Sequence, residues 1–322
     1  MFKSQKKLGV LVTSISKKIP LLQSVKNAAL SINKNAVLHG CDSNPGCIGR
    51  YFVDYFWQTP SLSESAFELI RDYCRHHSIQ AIIPTRNGEL DFFSRHSAQF
   101  KAEGIHVMVS PLLTIQICLD KMSFYEFLKT NGFPTIPTAK RIEGVPGKRF
   151  VVKEQFGAGS VALGLNLDRN DAIRAASQMQ DPIFQPFIEG QEYSVDVYRN
   201  ISGKVMGAIA RSRDVIVNGE SQVTTTVKKP ELEVGCAKIA DELDIYGHVV
   251  FQAIEAPDGS YHIIECNPRF GGASTASLAA GLDSFKWFLL ESQCAVLEKY
   301  PFKRIEGEIK QVRYPADLII KQ

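Results

Sequence analysis

At 322 residues the chain is long enough for more than one packed domain, and its 44% apolar and 22% charged residues are those of an ordinary globular protein. A net charge of +3 gives no electrostatic footprint for nucleic acid. No stretch approaches the roughly 20 apolar residues of a membrane span. The basic N-terminal residues precede an apolar run, Leu8 to Thr13, that is too short for a secretion signal, and charge returns at Lys17 and Lys18. The seven cysteines contain no CxxC pair, which argues for free thiols in a reducing cytoplasm over a disulfide frame or a zinc site.

Leu8 to Thr13 predicts a first strand, Leu21 to Leu30 a helix, and Ala36 to Leu38 a second strand ending near Asp42. Ser65 to His77 predicts an amphipathic helix, Ala81 to Pro84 a strand, Glu89 to Ala102 a helix and Ile105 to Val109 a strand. Strands alternating with helices imply a parallel sheet covered on both faces. Ligands of such sheets sit beyond the carboxyl ends of the strands, where Thr13, Ser14, Asp42 and the stretch from Pro84 to Glu89 fall. Taken singly, each of these reads as a helix cap or a turn. No GxGxxG follows the first strand, so a Rossmann dinucleotide site is not expected.

Ser110-Pro111 predicts a short helix with proline at its first position, and Asp120-Lys121 opens another to about Thr130. A domain boundary is expected near residue 115. Arg149 to Lys153 then reads as a strand feeding Gly157-Ala158-Gly159-Ser160, with Val161 to Leu167 returning. A glycine turn beside Lys153 can donate backbone N–H groups and a point charge to phosphate, although alone it is more often an ordinary hairpin with a flexible turn. A helix from Asp171 to Met179 precedes an apolar strand around Phe184, a turn at 189–192, and a hairpin of Tyr193 to Tyr198 with Lys204 to Arg211. Arg211 and Arg213 are expected to face a loop at 218–221, and Pro230 to Leu243 is a helix.

A late β-hairpin follows, Phe251 to Glu255 and Tyr261 to Glu265, turning through Pro257-Asp258-Gly259. Glu265 and Asn267 are two apart and share a face of an extended strand, with Gln252 across from them. Three hard oxygen ligands suit Mg²⁺ (or Mn²⁺), and Arg269 places a cation beside them. A strand end with Glu, Asn and Pro is, by itself, more often a solvated turn. Helical segments are expected over 274–282 and 283–297, and a closing strand near Tyr314.

In this order and spacing the residues resemble the ATP-grasp superfamily of ATP-dependent ligases, and within it a single ATP-grasp unit of the carbamoyl-phosphate synthase large subunit and stand-alone carboxylate–amine ligase-like proteins. The likeness runs over essentially the whole chain. It implies an α/β fold, α+β in its C-terminal part: a pre-ATP-grasp parallel sheet domain (1–114), a small lobe with the glycine-rich loop (115–188) and a large lobe with the metal site (189–322). It assigns Lys121 and Lys153 to nucleotide phosphates and Gly157, Ala158, Gly159 and Ser160 to the loop over them. Gln185, Pro186, Phe187 and Ile188 fall at the adenine and Glu192 at the ribose. Gln252, Glu265 and Asn267 would hold the metal, and Arg269, with Lys153, would act on the transferred phosphoryl group. Substrate is expected at Arg211, Arg213, Gly271, Gly272 and Glu89. The implied activity uses ATP and Mg²⁺ to convert a small carboxylate to an acyl phosphate and pass the acyl group to an amine, in a cytoplasmic protein, with a homodimer implied by the same resemblance. A phosphotransferase and a non-catalytic nucleotide-binding regulator are the competing readings. None of the cysteines is expected to be a nucleophile, and Cys266 should pack on the face opposite the metal ligands.

Overall fold

The computed structural model describes residues 7–62, 66–157 and 163–321. Strands β1 (Gly9–Thr13), β2 (Val37–Asp42), β3 (Tyr55–Gln58), β4 (Ile79–Ile83) and β5 (His106–Val107) form a five-stranded sheet in the order β3-β2-β1-β4-β5, with every pairing parallel. Every residue of β1 is buried, as a central parallel strand covered on both faces requires. Helices α1 (Ile19–Ile32), α2 (Ala66–His76) and α3 (Asn87–Ala102) connect these strands. β3 was not expected from the sequence. It is an edge strand without a buried apolar run, and it is anchored by Trp57 stacking on Tyr73 at 4.1 Å.

Helix α4 (Leu112–Leu119) has Pro111 as its N-cap, one position before the expected first turn. Helix α5 (Lys121–Thr130) starts at Asp120, whose carboxylate accepts the Met122 and Ser123 N–H groups. The expected boundary near residue 115 falls inside α4, and α5 lies beyond it. Ile115 of α4 packs in the core of the parallel sheet, whereas Cys118, Phe124 and Leu128 pack with Val195, Val197, Phe251 and Ile263 of the largest sheet.

Strands β6 (Phe150–Glu154), β7 (Leu163–Leu167) and β8 (Pro182–Pro186) make an antiparallel three-stranded sheet, order β7-β6-β8, with α6 (Arg169–Ala176) against it. Its own small core is built on Phe150, Val152, Ala172 and Phe184. The remaining strands are β9 (Gln191–Arg199), β10 (Val205–Val217), β11 (Glu220–Val227), β12 (Gly247–Glu255), β13 (Tyr261–Asn267) and β14 (Lys310–Val312), in the order β13-β12-β9-β10-β11-β14. Helix α7 (Pro230–Glu242) packs on this sheet through Leu232, Cys236 and Ile239. β10 is longer than the sequence suggested and β11 was read only as loop. Arg211 and Arg213 therefore lie inside a strand instead of facing a loop. Strand periodicity was obscured there because the buried positions carry arginine. Helices α8 (Thr275–Ala279) and α9 (Ser284–Glu291) are shorter than expected, and the closing strand β14 precedes Tyr314, which is itself exposed.

The turn between β12 and β13 is the expected one. Gly259 takes φ +84°, and the Ala256 N–H donates to the Ser260 carbonyl at 2.9 Å. A register irregularity follows Gln252, and such bulges re-aim side chains beside functional sites.

Candidate active site

The register of the hairpin sets Gln252 directly opposite Glu265, and Asn267 follows on the same strand. The Asn267 amide donates from Nδ2 to Glu265 Oε1 at 2.9 Å, so the expected metal ligands are side by side. Cys266, between them, turns the other way into the core with Cys118 and Cys236. As the set holds one carboxylate and two amides, it brings a single negative charge.

Glu265 is the common anionic neighbour of cations from separate elements. Its charge reaches Lys121 at the start of α5, Lys153 at the end of β6, Arg213 on β10 and Arg269 after β13. Burial lowers the Lys153 ammonium to about 8, more than Glu265 and Glu192 restore. Burial likewise lowers Lys121, Arg213 and Arg269 from their ordinary values. So many partly desolvated cations around so few carboxylates form a ready-made anion site.

Lys121 grips the exit of β6. Its Nζ donates to the carbonyls of Glu154 at 3.1 Å, Gln155 at 3.4 Å and Gly157 at 2.9 Å. Gln155 Nε2 in turn donates to Asp120 Oδ1 at 2.6 Å, so the start of α5 is locked to the root of the glycine loop. Gly157 has φ +106°, a conformation open to glycine at little cost. Ala158, Gly159 and Ser160 lie outside the described residues.

On β8, Gln185 is buried and donates from Nε2 to Thr138 Oγ1 at 2.8 Å, leaving its carbonyl as the acceptor. The Phe187 N–H, expected to pair with a base, already donates to the Arg149 carbonyl at 2.8 Å. Pairing in the linker therefore falls to its neighbours Pro186 and Ile188, or requires that bond to open. Where β9 begins, Glu192 accepts from Arg213 Nη1 at 3.0 Å, and the same nitrogen donates to Gln252 Oε1 at 2.9 Å. Arg213 also donates from Nη2 to the Gly219 carbonyl at 2.7 Å and from Nε to Ser221 Oγ at 3.2 Å. These bonds make Arg213 a brace between Glu192 and Gln252.

Glu89 lies at the start of α3. It is buried and accepts from Ser14 Oγ at 2.7 Å, the Thr85 N–H at 2.5 Å and the Arg86 N–H at 2.9 Å. This is a helix-capping carboxylate that closes the turn from β4 into α3, with little capacity for a substrate. Arg211 behaves differently. It is buried, and its Nε is fixed by Asp196 Oδ2 at 2.7 Å, whereas its Nη2 lies 3.7 Å from where a Cβ on Gly271 would stand. A Cβ on Gly272 would come within 2.6 Å of Arg313 Nη2, so the diglycine stretch runs between two guanidinium groups.

With this geometry in hand, known proteins can be compared. A family model described as "ATP-grasp in the biosynthetic pathway with Ter operon" matches residues 178–311, and one described as "PylC-like, N-terminal domain" matches residues 10–108. The chain carries an ATP-grasp domain behind a PylC-like N-terminal domain. Solved structures of low sequence identity share its fold. The biotin carboxylase domain of Hydrogenobacter thermophilus 2-oxoglutarate carboxylase, a dimer in complex with MgADP, ADP and bicarbonate, matches with a TM-score of 0.74. That match has 17% identity and covers 93% of this chain and 73% of that one. N5-carboxyaminoimidazole synthetase of Staphylococcus aureus, complexed with ADP, matches with a TM-score of 0.71 at 16% identity, over 90% of this chain and 78% of that one. The carbamoyl phosphate synthase large chain of Thermoplasma acidophilum is 25% identical over 272 residues, 74% of this chain. This chain spans only 25% of that protein's length.

Sequence reasoning missed the ATP-grasp large lobe's buried anion, Asp196. It accepts from Arg211, from Ser277 Oγ at 2.7 Å, from Ser274 Oγ and, at 3.0 Å, pairs with His248 Nε2. The alternation from Tyr193 to Tyr198 gave little signal, since Asp196 shares its face with Ser194 and not with Tyr193, Val195 and Val197, although the strand is buried on both faces. Asn87 was missed as well, although it stands in the expected stretch from Pro84 to Glu89.

Proposed function

We propose that the chain is an ATP- and Mg²⁺-dependent, ADP-forming ligase that activates a small carboxylate as its acyl phosphate and passes the acyl group to an amine. The observation that carries this reading is the convergence of Lys121, Lys153, Arg213 and Arg269 on the single carboxylate of Glu265. That charge balance is suited to a triphosphate, whose oxygens would complete the coordination of an ion that one protein carboxylate holds poorly. Gln252, Glu265 and Asn267 would hold Mg²⁺, which neutralises charge on the phosphates when bound.

The chain's own groups account for the rest. Lys153 and Arg269 lie where charge develops on the transferred phosphoryl group, and the loop from Gly157 to Ser160 would exclude water from it. Glu192, held by Arg213, accepts from ribose hydroxyls, and the Gln185 carbonyl and the 186–188 linker receive the adenine edge. Arg211 and the Gly271-Gly272 stretch take the carboxylate. One carboxylate oxygen attacks the γ-phosphorus and ADP leaves. The amine nitrogen then attacks the acyl carbon, loses a proton, and inorganic phosphate leaves with the transferred oxygen. Positioning and charge do the catalysis, and no cysteine is required. The described cysteines are free, which suits a cytoplasmic setting, and the 2-oxoglutarate carboxylase domain dimer is a precedent for a homodimer. No described helix is long and apolar enough to cross a membrane.

The test is ADP release from MgATP, screened over amino acids and small dicarboxylates, with and without ammonia. ADP and inorganic phosphate should appear together for one carboxylate–amine pair. ADP with a stable phospho-product would replace the ligase by a phosphotransferase. Binding of MgATP with no ADP release across the whole panel would leave a regulator.

A pH dependence follows from Lys153. Nucleotide phosphates favour its charged form, so bound nucleotide raises its pKa above about 8. Affinity should therefore be constant below pH 8 and fall as the pH rises through that value, read by nucleotide titration between pH 7 and 10. The decline should vanish in Lys153→Met.

A further inference from the structure

Asn87 belongs to the N-terminal sheet domain, yet its side chain ends among the groups that follow β13. Its Nδ2 donates to Asn267 Oδ1 at 3.1 Å, and its Oδ1 accepts from Arg269 Nε at 2.5 Å. Arg269 Nη2 closes the triangle on Asn267 Oδ1 at 3.4 Å, and Arg269 Nη1 donates to the Phe270 carbonyl at 3.0 Å. Asn267 in turn donates to Glu265. A carboxamide suits this place because it offers a donor and an acceptor at once.

The turn that presents Asn87 is unusually fixed. Glu89 draws together Ser14, Thr85 and Arg86. Lys18 Nζ ties the end of β1 to the same turn, donating to the Ser14 carbonyl at 2.9 Å, Thr85 Oγ1 at 2.6 Å and the Thr85 carbonyl at 3.1 Å. Glu89 and Lys18 also act on Arg269 through their charges. They hold the backbone from which Asn87 reaches it.

We infer that Asn87 is a positioning residue of the proposed metal site, fixing the Asn267 amide and the Arg269 guanidinium from the opposite domain. The inference rests on the nucleotide reading above. Groups that orient metal ligands from behind typically change metal affinity tenfold to a hundredfold when removed. Losing the Asn87 carboxamide frees Asn267 to rotate and Arg269 to leave the phosphoryl position.

The experiment is a titration of Mg²⁺ against trinitrophenyl-ATP fluorescence, with the same nucleotide in EDTA as the metal-free reference. Asn87→Leu should raise the half-saturating Mg²⁺ concentration by about tenfold or more, a larger effect than the fall in metal-free nucleotide affinity that follows from releasing Arg269. Asn87→Ser, smaller and uncharged, no longer reaches Asn267 or Arg269 and adds no carboxylate beside the metal set. It should also raise the Mg²⁺ requirement, and it covers the case in which the leucine variant does not fold. An unchanged Mg²⁺ requirement in a folded variant, whatever its melting temperature, would reduce Asn87 to a staple between domains and overturn the inference. No Mg²⁺-supported binding in the unsubstituted protein would overturn the nucleotide reading itself, and this inference with it.

Discussion

Replacing Glu265 by glutamine should lower MgATP turnover by on the order of a hundredfold to a thousandfold, the scale of removing one preorganised electrostatic group from a reaction centre. Two separate duties end together. The proposed metal set loses its one carboxylate, and the cations Lys121, Lys153, Arg213 and Arg269 lose their shared counter-charge. The second loss makes the expectation specific. Cations freed of a carboxylate attract phosphate more strongly, so ATP binding in EDTA should be retained or tightened while Mg²⁺-supported turnover disappears. Glutamine still accepts from Asn267, which keeps the hairpin intact, and far-UV circular dichroism should be unchanged. Undiminished ADP release in this variant would mean that the hairpin tip is not where the chemistry occurs.

Asp196→Asn should cost about 3–5 kcal/mol of stability, the range for breaking a buried ion pair from one side. Asp196 and Arg211 have side-chain exposures of 0% and 3%, so water cannot replace the lost charge on either. Burial by itself would push the Asp196 carboxyl up. Arg211 and His248, with the hydrogen bond from Ser274, overcome that and hold it well below the usual carboxylate range. The sign of the pH dependence follows. Because the folded-state pKa is depressed, this stabilisation is fully present above the unfolded carboxylate value, about 3.9, and is lost as the pH falls below it. Urea unfolding at pH 7 should separate the variant from the parent clearly, and the gap should narrow below pH 4. Equal urea midpoints at pH 7 would show that the pair contributes nothing.

The fold was legible where apolar period and turn chemistry agree. Gly9–Thr13, Ile19–Ile32, Lys121–Thr130 and the β12–β13 hairpin carry both signals. Asp120 announced its helix by capping it, and Pro257-Asp258-Gly259 announced its turn. Legibility failed where burial is bought with polar residues. β10 hides Arg211 and Arg213 inside a sheet, and β3 is an edge strand of half-exposed aromatics, so neither shows a strand's ordinary alternation. Glu265 and Asn267 could be put on one face from spacing alone because a strand has a period of two. What could not be named were pairings made at long range. Arg213 braces Glu192 and Gln252, Glu89 caps its own helix, and Asn87 crosses to a residue 180 positions away. No local pattern encodes those choices, since each depends on two elements that meet only when the sheets assemble.

Oxygen tracing tests the central chemical claim most directly. With the carboxylate that supports turnover labelled by ¹⁸O in both oxygens, acyl-phosphate formation should move one label into the released inorganic phosphate in every turnover. Phosphate released without label, at undiminished turnover, would show that the carboxylate is never phosphorylated and would contradict the account.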